Sequence, residues 1–137
     1  MKKIIVMMIL ISGFIFIFIL LFGENICHNS EDKLHWKQLS SNIKEDKINK
    51  IILESELVGT EKSAFINNLS NSKFYKSNWR KSGPTGPTFT IVFKDGSEQY
   101  FEYWGNAIFE ATYNNGQFLI KSIEIEQVLK KHNITLN

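Results

Sequence analysis

The stretch from Thr88 to Ile120, TFTIVFKDGSEQYFEYWGNAIFEATYNNGQFLI, alternates apolar and polar residues and is broken by two turn signals, Asp95-Gly96 and Asn115-Gly116. Alternation of this kind around such dipeptides is the pattern of an antiparallel meander. The pairing follows from the side chains, because a one-residue slip in register turns a whole strand over. A three-residue loop, Lys94-Asp95-Gly96, with Gly96 left-handed, sets Phe93 against Ser97, Ile91 against Gln99 and Phe89 against Phe101. Phe89, Ile91, Phe93, Phe101 and Tyr103 then share one face. A two-residue loop would bring Glu98 and Glu102 onto that face and bury their charge. At the second turn, a two-residue Asn115-Gly116 loop sets Tyr113 opposite Phe118 and Ala111 opposite Ile120, and Phe109 extends the same apolar face. Tyr100 and Trp104 fall on the other side with Glu98 and Glu102.

Before this meander lies a different kind of sequence. Ile4 to Phe22 carries no charge and follows Lys2 and Lys3. At ~1.5 Å per helical residue it nearly spans the ~30 Å hydrocarbon core of a bilayer. The basic flank stays in the cytoplasm, which places everything after Gly23 outside. Two readings compete for this segment, a retained anchor and a cleaved signal peptide. The run exceeds the ~7–15 residues of a signal h-region. Leu21, Phe22, Glu24 and Ile26 leave no small-residue cleavage pattern, so the expectation is a single-pass anchor, with secretion the outcome if the segment is cleaved. Cys27 is the only cysteine of the 137 residues, so no intramolecular disulfide exists and the exported domain depends on its core.

The formal net charge is +2, and Lys2 and Lys3 account for all of it. The outer part is neutral, which gives no electrostatic footprint for nucleic acid. Nineteen isoleucines and thirteen asparagines against three alanines point to an AT-rich coding sequence. Together with disulfide-free export, this composition suggests a low-GC Gram-positive bacterium.

In chain order, residues 1–23 form the flank and transmembrane segment, 24–47 a polar tether, and 48–137 the extracytoplasmic domain. The tether has few sizeable apolar residues, Leu34, Trp36, Leu39 and Ile43, whose spacing reads as neither a clean strand nor a clean helix. Trp36 either docks on the domain or lies at the membrane interface. Ile48 to Leu57 reads as the first strand. Thr60 is placed to cap a helix from Glu61 to Ser70, with Phe65, Ile66 and Leu69 as its apolar stripe. Phe74 to Trp79 reads as an edge strand guarded by Lys76, Arg80 and Lys81, with nucleic-acid stacking as the alternative. Ser82 to Pro87 is a Gly/Pro loop. Ser122 caps a last helix reaching about His132, with Ile125, Val128 and Leu129 on one face, followed by a frayed tail.

No constellation for catalysis, cofactor or metal is spelled out. His28, His35 and His132 show neither HxH nor HExxH spacing. Glu98 and Glu102, four apart on one strand, would lie ~13 Å apart, beyond the ~5–9.5 Å of glycosidase carboxylates. The candidate partner-binding residues are Tyr100, Trp104, Trp79 and Tyr75: Tyr100 and Trp104 form a surface for an envelope protein or a glycan if no helix covers their face of the sheet, and are core if one packs there, while Tyr75 and Trp79 belong to the aromatic edge segment.

The stretches Phe89-Thr-Ile-Val-Phe-Lys-Asp-Gly-Ser97 and Phe118-Leu-Ile-Lys-Ser-Ile-Glu-Ile125, in the order strand, helix, strand, two hairpins and terminal helix, resemble the layout of small exported or membrane-anchored proteins of Gram-positive bacteria, many in families of unknown function. The resemblance covers about two-thirds of the chain, implies a fold alone and transfers no site residue. The expectation is thus an α+β domain, a four- or five-stranded antiparallel sheet with two helices behind one transmembrane helix. Its expected role is that of a non-enzymatic binding or regulatory module. The alternatives are an immunity- or inhibitor-like protein against a toxin or envelope enzyme, and an envelope enzyme with an unrecognised site.

Overall fold

The computed structural model describes residues 30–75, 88–134 and 136. The expected membrane segment 4–22, Cys27, His28, Trp79 and the Gly/Pro loop lie outside the described residues. Among those described, no helix is long and apolar enough to cross a membrane. A compact unit extends from Asp32 to Asn137.

That unit is α+β. Helix α1 covers residues 30–42 and is followed by β1 (Ile48–Ile52), α2 (Gly59–Ser70), β2 (Lys73–Tyr75), β3 (Phe89–Phe93), β4 (Glu98–Gly105), β5 (Ile108–Tyr113), β6 (Gly116–Lys121) and α3 (Ile123–Lys131). The six strands form one antiparallel sheet in the order β1-β3-β4-β5-β6-β2. The meander is its centre, and the two early strands close its opposite edges. Sheet and helix counts therefore both exceed the expectation from sequence.

The apolar face of the meander is the core. Phe89, Ile91, Phe101, Phe109, Phe118 and Ile120 are almost wholly buried. Phe89 stacks on Phe101 at 4.7 Å between ring centroids and meets Phe65 of α2 edge-on at 5.1 Å. Such pairs contribute about 0.5–1.5 kcal/mol beyond area burial. All three helices pack against this one face: α2 through Phe65, α3 through Ile125 and Leu129, and α1 through Trp36 and Leu39.

The extra helix, α1, occupies what reads in sequence as a tether. Trp36, Leu39 and Ile43 recur at helical spacing and are buried, whereas Leu34 is half exposed and obscures the stripe. Of the two readings of Trp36, docking on the domain is the one observed: its ring lies 5.8 Å from Phe118 and its Nε1 donates to Ser72 O at 3.2 Å.

The first hairpin has the expected register. Phe89 pairs with Phe101 and Ile91 with Gln99, Phe93 N donates to Ser97 O at 2.8 Å, and Gly96 sits at φ +85°. The last hairpin departs from expectation. Tyr113 pairs with Gly116 and Ala111 with Phe118, and the turn residues are Asn114 and Asn115 at φ +50° and +63°. Two left-handed residues make the type I′ turn that matches strand twist, and asparagine adopts that conformation readily. The shift is two residues, so each side chain keeps its face.

Gly116 is thereby freed from the turn and serves another purpose. A Cβ there would lie 1.7 Å from Nδ1 of His35, so a hydrogen at this position is what admits α1 against the hairpin tip.

Smaller corrections concern the ends of elements. β1 stops at Ile52, and the chain turns so that Glu56 bridges Ile52 and Leu57 N donates to Ile51 O at 2.9 Å. This return covers the C-terminal end of the free edge of β1. Thr60 is not the cap of α2, which starts at Gly59 after Val58 with no side-chain cap bond. Ser122 does cap α3, its hydroxyl accepting from Ile125 N at 3.3 Å. Asn133, at φ +57°, ends that helix, with Ile134 N donating to Leu129 O at 3.1 Å. Ile134 and Leu136 then pack on the core instead of fraying.

Replacing Gly116 by Ala should destabilise the domain by about 1–3 kcal/mol through overpacking against His35. The double variant His35→Ala with Gly116→Ala should recover most of that loss in denaturant unfolding. Equal destabilisation of the single and double variants would disprove the packing account.

Candidate functional site

The sheet has a second face that the described helices leave uncovered. Even-numbered positions of β3 and β4 point there, including Thr90, Val92, Glu98, Tyr100, Glu102 and Trp104. Tyr100 is 50% exposed and Tyr75, on the edge strand β2, is 37% exposed. Trp104 is partly buried, and its Nε1 is shielded from solvent without a hydrogen-bond partner among the described residues. Leu119 and Glu110 on the same face are each only 8% exposed. The face is thus open around Tyr100 and closed around Leu119. Of the four candidate residues, Tyr100 and Tyr75 are exposed, Trp104 is half withdrawn, and Trp79 lies outside the described residues.

Tyr100 is oriented by Glu98, whose carboxylate accepts its hydroxyl. This bond, and after it the repulsion of the carboxylate, pushes the phenol above its ordinary range. Glu102 and Glu110 are direct cross-strand partners. The hairpin register, and not spacing along one strand, brings these two carboxylates together.

The carboxylates of α3 have structural explanations. Glu126 accepts the Tyr103 hydroxyl, the Ala107 N–H at 3.1 Å and a Lys130 ion pair at 3.0 Å. The Tyr103 bond, followed by Lys130, holds its carboxyl below the usual range, while burial is the main cause that raises Tyr103. Ala107 sits at φ +61°, an uncommon conformation for a residue with a Cβ. Glu126 holds its N–H, and its carbonyl accepts Ser122 N at 2.9 Å.

At the other end of α3, Lys131 Nζ lies 2.7 Å from Glu61 of α2, and His132 Nε2 lies 3.1 Å from the second carboxylate oxygen without hydrogen-bond geometry. Lys131, and after it His132, keep Glu61 below the usual carboxylate range. His35 is committed to the Gly116 contact. Among the described residues, no three His, Cys, Asp or Glu side chains are grouped to hold a metal ion.

A feature absent from the sequence reading lies at one end of the sheet. The β4–β5 ladder stops at Glu102–Glu110. Beyond it the buried Gln99 amide spans the gap, donating to Tyr100 O at 3.0 Å and Thr112 O at 3.2 Å. Near this splay, where α1 has ended, Leu39, Asn42, Lys47, Phe93, Lys94 and Tyr113 are among the residues lining a cleft of about 420 Å³.

Fold and surfaces define an α+β domain: a six-stranded antiparallel sheet backed on one face by three helices, with an aromatic patch on the other face and a cleft at one end. Comparison of the chain with protein-family models, curated proteins and solved structures gave no match.

Glu126→Ala would leave the Tyr103 hydroxyl and the Ala107 N–H without their acceptor, at an expected cost of about 1–3 kcal/mol. In the native chain, the folded-state pKa values of Glu126 and Glu61 lie below their unfolded values. Their stabilisation is therefore present above the unfolded carboxylate range and is lost as pH falls through the folded values. Unfolding followed between neutral and acidic pH should show a smaller acid loss in Glu126→Gln. An unchanged profile would refute the assignment.

Proposed function

We propose that the protein is an extracytoplasmic binding module held at the cell membrane by residues 4–22, recognising an envelope protein or glycan through the sheet face that carries Tyr100. The observation that carries this reading is the half-exposed Tyr100 ring on the face opposite all three helices. A tyrosine held this way offers a large amphipathic contact at small entropic cost, since Glu98 already fixes its hydroxyl. The anchor is supported by the uncharged run after Lys2 and Lys3. The outward orientation rests on the same basic flank.

Truncating a central interface tyrosine commonly costs about 2 kcal/mol or more, upwards of tenfold in affinity. Crosslinking and pull-down of the full chain from its native membrane should enrich a partner that is lost with Tyr100→Ala and kept with Glu54→Ala. Equal recovery with both variants would reject recognition through this face. Mass spectrometry of the mature protein should find residues 4–22 retained, and an N-terminus beyond Gly23 would overturn the anchor.

A further inference from the structure

We propose that the cleft of about 420 Å³ at the splayed end of the sheet is a second binding site, which takes a small zwitterion with an apolar side chain, an amino acid or a dipeptide. Its volume falls within the ~300–1,000 Å³ typical of ligand pockets.

The cleft exists because two elements stop short. Helix α1 ends at residue 42, while the aromatic face it covers continues. On the opposite wall the β4–β5 ladder ends at Glu102–Glu110. The inner-face rings next to these endings show the result. Phe89, Phe101, Phe109 and Phe118 are at most 2% exposed, whereas Phe93 and Tyr113 are only partly buried and line the cleft together with Leu39. The aromatic core thus runs out of the interior and becomes a binding wall for an apolar side chain.

Around that wall the polar groups come in both signs. Lys47 and Lys94 supply ammonium groups, and Asp46 and Asp95 supply carboxylates. Lys47 Nζ gives one N–H to Asn42 Oδ1 at 2.7 Å. Three N–H donors on an ammonium leave two beyond that bond. Asn42 Nδ2 donates to the Tyr113 hydroxyl at 3.5 Å, so the Tyr113 O–H keeps its own hydrogen for an acceptor. These donors suit a carboxylate.

The acidic side is also prepared. Asp95 Oδ1 accepts both the backbone N–H of Ser97 at 2.9 Å and its hydroxyl at 2.6 Å, which fixes the carboxylate and leaves Oδ2 to meet an ammonium. The Ser97 bonds also hold the Asp95 carboxyl below its usual range, so it is charged at neutral pH. An anionic ligand would meet Asp46 and Asp95, and a cationic one Lys47 and Lys94. A zwitterion satisfies both pairs, and charge balance is therefore the selecting property.

The test is an NMR titration of the isotope-labelled full chain in detergent micelles with L-alanyl-L-phenylalanine, its N-acetyl form and its C-terminal amide. The free dipeptide should shift the amides around Asn42, Lys47, Phe93, Lys94 and Tyr113 saturably, and each blocked form should bind about tenfold more weakly. Lys47→Gln should weaken the preference for the free carboxylate about tenfold and keep that for the free amine. Tyr100→Ala should leave the titration unchanged, which separates this site from the sheet-face reading. The proposal fails if no saturable shift appears by about 10 mM, if the shifts map elsewhere, or if the blocked forms bind as well as the free dipeptide.

Discussion

The ring of Phe89 stands where the elements of this domain meet. It stacks on Phe101 of β4, lies 5.7 Å from Phe109 of β5 and forms a T-shaped pair with Phe65 of α2. A sheet whose phenylalanines point to one side must be covered on that side and can be left open on the other. This asymmetry explains why three helices crowd one face, why even the segment before β1 is drawn in through Trp36, and why the opposite face retains exposed tyrosines.

Tight corners hold the arrangement in place. Asn106, Ala107, Asn114, Asn115 and Asn133 all take positive φ. Asparagine supplies four of these five positions, in keeping with its local hydrogen bonding in the left-handed region. Ala107 has no such side chain, and its conformation is maintained from outside by Glu126 and Ser122. At the opposite end of the sheet, Gln99 stitches together strands that have stopped pairing. The splay is therefore spanned by one buried amide that satisfies a carbonyl on each strand.

Much of this plan can be read in the residues. Phe89-Thr-Ile-Val-Phe93 and Lys94-Asp95-Gly96 determine the first hairpin, because burying Glu98 and Glu102 would have been costly. At the last hairpin, Asn115-Gly116 is a stronger turn signal than Asn114-Asn115, and the sequence does not show that Gly116 must make room for His35. Helix α1 was obscured by Leu34 and by its many charges, although Trp36, Leu39 and Ile43 keep helical spacing. Tyr100 could be assigned to the outer face by parity alone. The cleft could not be foreseen, since it depends on where α1 ends relative to the hairpin tips.

The order of strands also bears on how the chain acquires its structure. β1 and β2 precede the meander in sequence and yet form the two outer edges of the sheet. The meander from β3 to β6 is built of neighbouring hairpins, whose contacts are local and close quickly. Residues 30–75, by contrast, contain two edge strands and two helices whose apolar faces have nothing to cover until Phe89 to Ile120 has been synthesised. During synthesis the first half of the domain must wait for the second. The local contacts of the C-terminal hairpins favour them as the first structure to form, with the N-terminal elements adding at both flanks.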